Sequence, residues 1–143
     1  MGEHLVFGGD IERTGWPLTC LPPLLGTGLD ELAPIAVAHV AWVTKTGVEM
    51  GTLDPFALGF TKCTIDDLKG GDRVVNAQIL QQVLSGKLVG PVTDTIILNA
   101  GAALFVNGTA SSIAAGCMMA RSSIESGAPM DTLKAWVACC SEI

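Results

Sequence analysis

The chain has 143 residues, of which 49% are hydrophobic and only 15% charged, and its mean hydropathy is +0.49. Its 14 acidic and 8 basic side chains are scattered and give a net charge of −6, which argues against partners that require a basic patch, namely nucleic acid and an anionic membrane surface. No apolar run reaches the ~18 residues of a membrane span, so we expect one domain that covers apolar surface with a second domain, a partner or another copy.

Residues 1–25 carry few signals of regular structure. Pro22 and Pro23 are incompatible with a helix interior or a central strand, so we predict irregular chain here, with room for one short strand in "EHLVFGGD". The five cysteines form no CxxC motif and follow no secretory signal, which indicates reduced thiols in an intracellular compartment, with cytoplasm as the expected location. Cys117 lies in an apolar helical pattern and is expected to be a buried, inert thiol.

From residue 37 onward the pattern is typical of a β-hairpin. The stretch "AVAHVAWVTKTGVEMGTLDP" alternates and is rich in Val, Thr and Trp, which predicts two strands with a turn near residues 45–47 and an end before Pro55. His39 has apolar neighbours in the first strand, and we expect it to be a structural histidine with its hydrogen bonds satisfied.

Helical segments follow the hairpin. Asp72 is placed to cap "RVVNAQILQQVLSG", which Gly86 ends, and we interpret the glycines before Asp72 as part of a capped helix start rather than a phosphate loop. The next segment, "VTDTIILNAGAALFVNG", is apolar nearly all round. This predicts a buried helix in which Asn99 makes a structural hydrogen bond to neighbouring backbone.

Two more helices complete the chain. The third is predicted to begin at Ser111 or Ser112 and to end at Gly127, and the fourth opens with Pro129 in its first turn. The apolar stripe of the fourth helix, which includes Trp136, is predicted to be a packing surface. One hairpin and four helices do not complete a familiar fold, which suggests the last part of a larger one.

The stretch "LLGTGLDELAP" raises the main functional question. Asp30 and Glu31 follow a glycine turn, and they could mark a short helix start, with Asp30 as its cap, or hold a cation. Mg²⁺ prefers carboxylate oxygen and usually binds through one or two acids together with substrate phosphates and water. The residues alone leave both alternatives open, and short motifs of this kind more often have the structural meaning.

The order of several motifs resembles the C-terminal part of the anthranilate phosphoribosyltransferase family. From about residue 26 to residue 140 the chain contains, in sequence, "GLDELAP", the hairpin, "LDPFALGF", "DDLKGGDRVVNAQIL", "VLSGKLVGPVTDTIILNAGAAL" and "SIAAGCMMARSSIESGAPMDTL". The resemblance implies an α/β fold, in which residues 26–143 form the C-terminal part of the phosphoribosyltransferase domain: a β-hairpin followed by several packed helices. It also implies a homo-oligomer or an N-terminal domain missing from this chain, and a plastid location if the source is a plant or alga.

The resemblance further implies an activity and a metal. The family transfers a phosphoribosyl group from phosphoribosyl diphosphate (PRPP) to the amine of anthranilate in tryptophan biosynthesis, and magnesium assists the departure of diphosphate. Its magnesium-binding Asp-Glu pair corresponds to Asp30 and Glu31, and no residue of this chain is assigned a catalytic role.

The chain departs from the family at its start. The family's Gly-Thr-Gly-Gly-Asp phosphate loop and its anthranilate-binding residues are not matched, since "FGGD" at residues 7–10 shares only Gly-Gly-Asp. We therefore expect part of a pentosyltransferase that is inactive alone. The alternative is a non-enzymatic pseudoenzyme fragment or a partner-binding module.

Overall fold

The computed structural model describes residues 18–20, 29, 31–44 and 47–141. In this part of the chain three antiparallel strands are followed by a single 3-10 turn and four α-helices. Their bounds are β1 Leu18–Cys20, β2 Ala38–Thr44, β3 Gly47–Leu53, the 3-10 helix Asp66–Leu68, α1 Arg73–Leu84, α2 Pro91–Val106, α3 Ile113–Ser126 and α4 Ala128–Cys140. None of the helices described is both long and apolar enough to cross a membrane.

The predicted hairpin is confirmed. β2 and β3 pair antiparallel, with Ala38 opposite Leu53 and Thr44 opposite Gly47, so that residues 45–46 connect the two strands. These two residues, where the turn was predicted, lie outside the described part of the chain. β3 ends at Leu53, two positions before Pro55, as the pattern indicated.

β1 is a difference from the sequence-based expectation. Leu18–Cys20 pairs antiparallel with β2 and forms one edge of the sheet, whereas irregular chain was predicted over residues 1–25. These three residues become a strand because β2 offers them backbone hydrogen-bonding partners, and so short a segment carries no periodicity of its own. The rest of that segment, including "EHLVFGGD", lies outside the described residues, and the domain boundary near residue 25 stays a prediction.

One face of the hairpin packs on the helices. Val40 is fully buried and joins Ile97 and Leu98 of α2 in the hydrophobic core. Trp42, on the same face, meets the ring of Phe105 edge-on, with ring centroids 5.9 Å apart. Strand residues alternate between faces.

His39 lies on the opposite face of β2, and the prediction for this residue was wrong. His39 was expected to be a satisfied structural histidine, but its side chain is exposed. Because His39 precedes Val40, which points into the core, the alternation of β2 turns the imidazole away from that core.

α2 is the central helix, and its prediction as a buried helix is confirmed. It buries Ile97, Leu98, Ala102 and Val106, among others. α3 packs closely against it where two glycines meet: a methyl group added to Gly116 would collide with the carbonyl oxygen of Gly101. Cys117 is buried beside this contact, as predicted. The glycines therefore allow the backbones of α2 and α3 to touch.

The predicted helix ends are confirmed by their caps. Asp72 accepts hydrogen bonds from the backbone nitrogens of Val74 and Val75, at 2.9 and 3.0 Å, and so satisfies two donors that α1 leaves free. Ser112 accepts from the nitrogen of Ala115 at 3.1 Å at the start of α3. Gly127 ends α3 with φ of 79°, a left-handed conformation that favours glycine.

The outer helices leave apolar side chains uncovered. In α1 Val83 is buried but Val74 is 56% exposed, and in α4 Trp136 is 66% exposed. The prediction that Trp136 forms part of a packing surface is therefore wrong for the part of the chain described. Both helices have apolar periodicity, but no element in the described part of the chain covers Val74 or Trp136.

Candidate metal-binding loop

The acidic loop, as we call residues 31–34, connects an exposed carboxylate to buried backbone. Glu31 is exposed, whereas Leu32 is only 3% exposed and Pro34 is fully buried. Residues 31–33 have no helical conformation. Residues 31–33 therefore do not form the short helix that was the structural alternative for this segment. Asp30 itself lies outside the described residues, so its role stays a prediction.

Asn99 fastens the acidic loop to α2. Its Oδ1 accepts a hydrogen bond from the backbone nitrogen of Leu32 at 3.1 Å, and its Nδ2 donates to the backbone oxygen of the same residue at 2.6 Å. The Nδ2 also donates to the oxygen of Thr95, one helical turn earlier, at 2.8 Å. The predicted structural role of Asn99 is thus confirmed, and its main partner is a distant loop.

A second connection holds the far end of the acidic loop. The oxygen of Pro34 accepts a hydrogen bond from the backbone nitrogen of Cys63 at 2.9 Å. Cys63 is itself buried, and burial raises the pKa of its thiol, an effect to which the negative charges of Asp67 and Asp94 add. The loop is thus attached at both ends to the folded part of the chain, with Glu31 left on its outer side.

The carboxylate of Glu31 is available to a ligand. It forms no hydrogen bond or ion pair with any other residue that the structure describes. An exposed, unpaired carboxylate is a donor that suits Mg²⁺, and two of the loop's backbone groups are already satisfied by Asn99. The donor chemistry present at Glu31 therefore fits the metal that the resemblance implies.

A second pair of adjacent acids provides an internal comparison. Asp67 accepts hydrogen bonds from the nitrogen and the hydroxyl of Thr64, at 2.8 and 2.7 Å, and these bonds lower the pKa of its carboxyl. Asp66 forms an ion pair with Lys69. Both carboxylates at residues 66–67 are therefore engaged within the protein. The sequence signal was present, because "TIDD" places a threonine three positions before the acid to which it donates.

The Gly-Gly-Asp motif before α1 is a capped helix start, as predicted. Besides the Asp72 cap, the side chain of Asn76 accepts from the nitrogen of Gly71 at 2.8 Å and donates to its oxygen at 3.0 Å. These contacts occupy the amide groups that a phosphate would need. The role of Asn76 was missed because a side chain that reaches back five residues has no periodic signal.

Glu31 does not belong to a larger cluster of metal-binding side chains in the described residues. No group of three or more His, Cys, Asp or Glu side chains that could hold a metal lies in this part of the chain. Two apolar grooves, of about 550 Å³ between α1 and α4 and about 670 Å³ beside α2 and α3, have no carboxylate in their linings. A cation at Glu31 would therefore need ligands from outside the described side chains, such as substrate phosphate and water.

Residues 24–130 match the model of a protein family described as glycosyl transferase family, a/b domain. The chain belongs to this family. It is 43% identical over 110 residues to the anthranilate phosphoribosyltransferase of Rubrobacter xylanophilus, an alignment that covers 77% of this chain and 32% of that protein. It is 38% identical over 116 residues to the enzyme of the same name from Chlamydia felis, covering 79% of this chain and 33% of the relative.

Solved structures agree with this assignment. The anthranilate phosphoribosyltransferase of Thermus thermophilus superimposes with a TM-score of 0.68 at 31% identity, over 79% of this chain and 33% of that one. The Saccharomyces cerevisiae enzyme in complex with PRPP and Mg superimposes with a TM-score of 0.73 at 26% identity, over 81% and 33%. The resemblance and the α/β fold class predicted from the motifs are confirmed. The chain spans about a third of the length of the relatives it matches.

Proposed function

We propose that this chain supplies the C-terminal, magnesium-binding part of an anthranilate phosphoribosyltransferase. The observation that carries the proposal is the Glu31 carboxylate, which is exposed and has no partner among the described residues, on a loop that Asn99 attaches to the core. The contrast with Asp66 and Asp67, whose carboxylates are engaged, supports the assignment of the metal to the first acidic pair.

Asp30 and Glu31 are the residues that would hold the cation. Bound Mg²⁺ supplies positive charge that stabilises the negative charge growing on diphosphate as it leaves carbon 1 of the ribose. The contribution of this chain is to present two hard carboxylates beside that leaving group. Supporting this role, the similar yeast enzyme has been solved in complex with PRPP and Mg.

PRPP and anthranilate are the proposed substrates of the intact protein. The yeast relative has been solved with 4-fluoroanthranilate as well as with PRPP. Because the chain spans about a third of its relatives, we propose that it has little or no activity alone. The exposed apolar side chains of α1 and α4 fit this view, since the remaining two thirds of such an enzyme would offer surface to cover them.

The same exposed side chains favour a second candidate, a partner-binding module without activity. Val74 in α1 and Trp136 in α4 are both more than half exposed, and large uncovered apolar areas often mark interaction sites. This alternative gives no role to the Glu31 carboxylate, which has no partner among the described residues, and for that reason we prefer the enzyme.

A chimeric enzyme separates the two candidates. Residues 24–143 would replace the matching third of the Rubrobacter xylanophilus relative, and phosphoribosyl transfer would be followed by the loss of anthranilate fluorescence. We expect an active chimera in which Glu31→Gln lowers turnover on the order of 10²-fold, as removal of one electrostatic stabiliser typically does. The matched control, Asp66→Asn with Asp67→Asn, should leave turnover unchanged. A folded but inactive chimera, or one indifferent to Glu31→Gln, would refute the proposal.

A further inference from the structure

We infer that Asn99 is a positioning residue for the acidic loop: its side-chain amide holds Leu32 so that the neighbouring Glu31 carboxylate is presented to the cation. The inference rests on the proposed metal role of Glu31 and adds a residue on a different element, 67 positions after Leu32. Asn99 touches neither the cation nor a substrate in this account, and acts only through the backbone of Leu32.

The geometry of the contact suits an amide and few other groups. Asn99 accepts from the Leu32 nitrogen at 3.1 Å and donates to the Leu32 oxygen at 2.6 Å, so it pairs with the loop as a neighbouring strand would. Its second N–H donates to Thr95 at 2.8 Å, which fixes the orientation of the amide plane. An aspartate at this position would accept but not donate, and an aliphatic side chain would do neither.

The contact acts on Glu31 through the peptide bond. The nitrogen of Leu32 belongs to the planar unit that includes the Cα of Glu31, so holding that N–H also holds the Glu31 Cα and restricts where its side chain leaves the loop. Groups that hold a metal ligand by hydrogen bonds, without touching the metal, orient that ligand, and their loss usually weakens metal binding.

The rest of the loop would survive without Asn99. The side chain of Leu32 is buried, and Pro34 keeps its hydrogen bond to Cys63. Removal of the amide should therefore release the Leu32 backbone and let Glu31 turn, while the hydrophobic attachment of the loop remains. This separates a positioning role from a purely structural one.

Thr93 provides a matched control on the same helix. Its hydroxyl is buried and donates to the oxygen of Leu88 at 2.8 Å, so Thr93→Val also removes a hydrogen bond between α2 and a loop. That loop precedes α2 and is not the acidic loop. Asn99→Ala removes all three bonds of the amide, and Asn99→Asp keeps one acceptor, which offers a second variant if the first fails to fold.

The test uses the full 143-residue chain with Mn²⁺ alone as the probe. Amide hydrogen exchange at Leu32 reports the contact, and water-proton relaxation reports Mn²⁺ affinity. We expect Asn99→Ala to speed exchange at Leu32 and to weaken Mn²⁺ binding about 10-fold or more, the usual cost of losing such a partner. Asn99→Asp keeps an acceptor for the Leu32 nitrogen but loses both donated bonds, so it should change both readouts in the same direction and to a smaller extent. Thr93→Val should change neither. Unchanged exchange at Leu32, or an equal loss of Mn²⁺ affinity in Thr93→Val, would overturn the inference.

Glu31→Gln distinguishes failure of the inference from failure of the proposed function. If Glu31→Gln weakens Mn²⁺ binding and the Asn99 variants do not, the metal role stands and the positioning role is overturned. If Glu31→Gln leaves Mn²⁺ affinity unchanged, or if the unaltered chain shows no saturable binding, the metal role fails and the positioning role fails with it.

Discussion

Asn99 and Leu32 are 67 positions apart, yet the side-chain amide of one forms two hydrogen bonds, of 3.1 and 2.6 Å, with the backbone of the other. The pairing joins the acidic loop to α2, the helix with the most buried residues among those described. It places a carboxylate at the surface and, one residue later, an aliphatic side chain in the core.

The burial of Leu32 gives the first prediction. Leu32→Ala should lower the free energy of unfolding by about 2–4 kcal/mol, because it removes buried methyl groups and leaves a cavity beside α2. Val37→Ala, at a position that is 41% exposed, should cost less than about 1 kcal/mol. Urea denaturation followed by circular dichroism measures both. Equal losses in the two variants would mean that the acidic loop is not held in the core.

The contact between α2 and α3 gives the second. Gly116→Ala should destabilise the chain by about 1–3 kcal/mol or more, because the added methyl group meets the carbonyl of Gly101 and forces the helices apart. Ser122→Ala, on the exposed side of α3, should leave stability unchanged or slightly increased. Thermal unfolding distinguishes the outcomes. A Gly116→Ala variant as stable as the parent would contradict the close approach.

The hydrogen bonds from Thr64 to Asp67 give the third. They lower the pKa of the Asp67 carboxyl from its ordinary value of 3.8, so their contribution to stability is complete above that value and is lost as the pH falls through the folded pKa. Thr64→Val removes the hydroxyl bond and should raise the pKa of Asp67 toward the ordinary value. Carboxyl carbon chemical shifts in a pH titration measure it. Thr132→Val, on α4, should have no effect on Asp67.

The buried thiols give the fourth. Burial raises the pKa of Cys63 and of Cys117, whereas Cys139 and Cys140 are exposed, so iodoacetamide should modify the exposed pair first. Above the ordinary thiol pKa of 9.0 the unfolded chain ionises while the folded chain stays protonated, and stability should fall as the pH rises past that value. Peptide mapping by mass spectrometry follows the order of modification. Early labelling of Cys117 in the folded chain would contradict its burial.

Local signals predicted most of the fold. Asp72, Ser112 and Gly127 act within one helical turn of their positions, and the alternation of β2 and β3 is equally local, so these elements followed from the sequence. The burial of α2 followed from its uniformly apolar composition.

Features that depend on distant partners were not predicted. Asn99 was recognised as structural, but its link to Leu32 exists only after the chain has folded. Trp136 was expected to be packed because the periodicity of α4 is apolar, and its exposure reflects which elements are nearby rather than the helix itself. β1 likewise depends on the edge of β2.

The most direct test of the metal role is a map of Mn²⁺ on the chain. In a ¹⁵N-labelled sample, substoichiometric Mn²⁺ should broaden the amide signals of Glu31 and Leu32 first. Asp30→Asn combined with Glu31→Gln should abolish that broadening, and Asp66→Asn combined with Asp67→Asn should preserve it. Broadening that centres on residues 66–69, or that persists unchanged at Glu31 in the first double variant, would contradict the account.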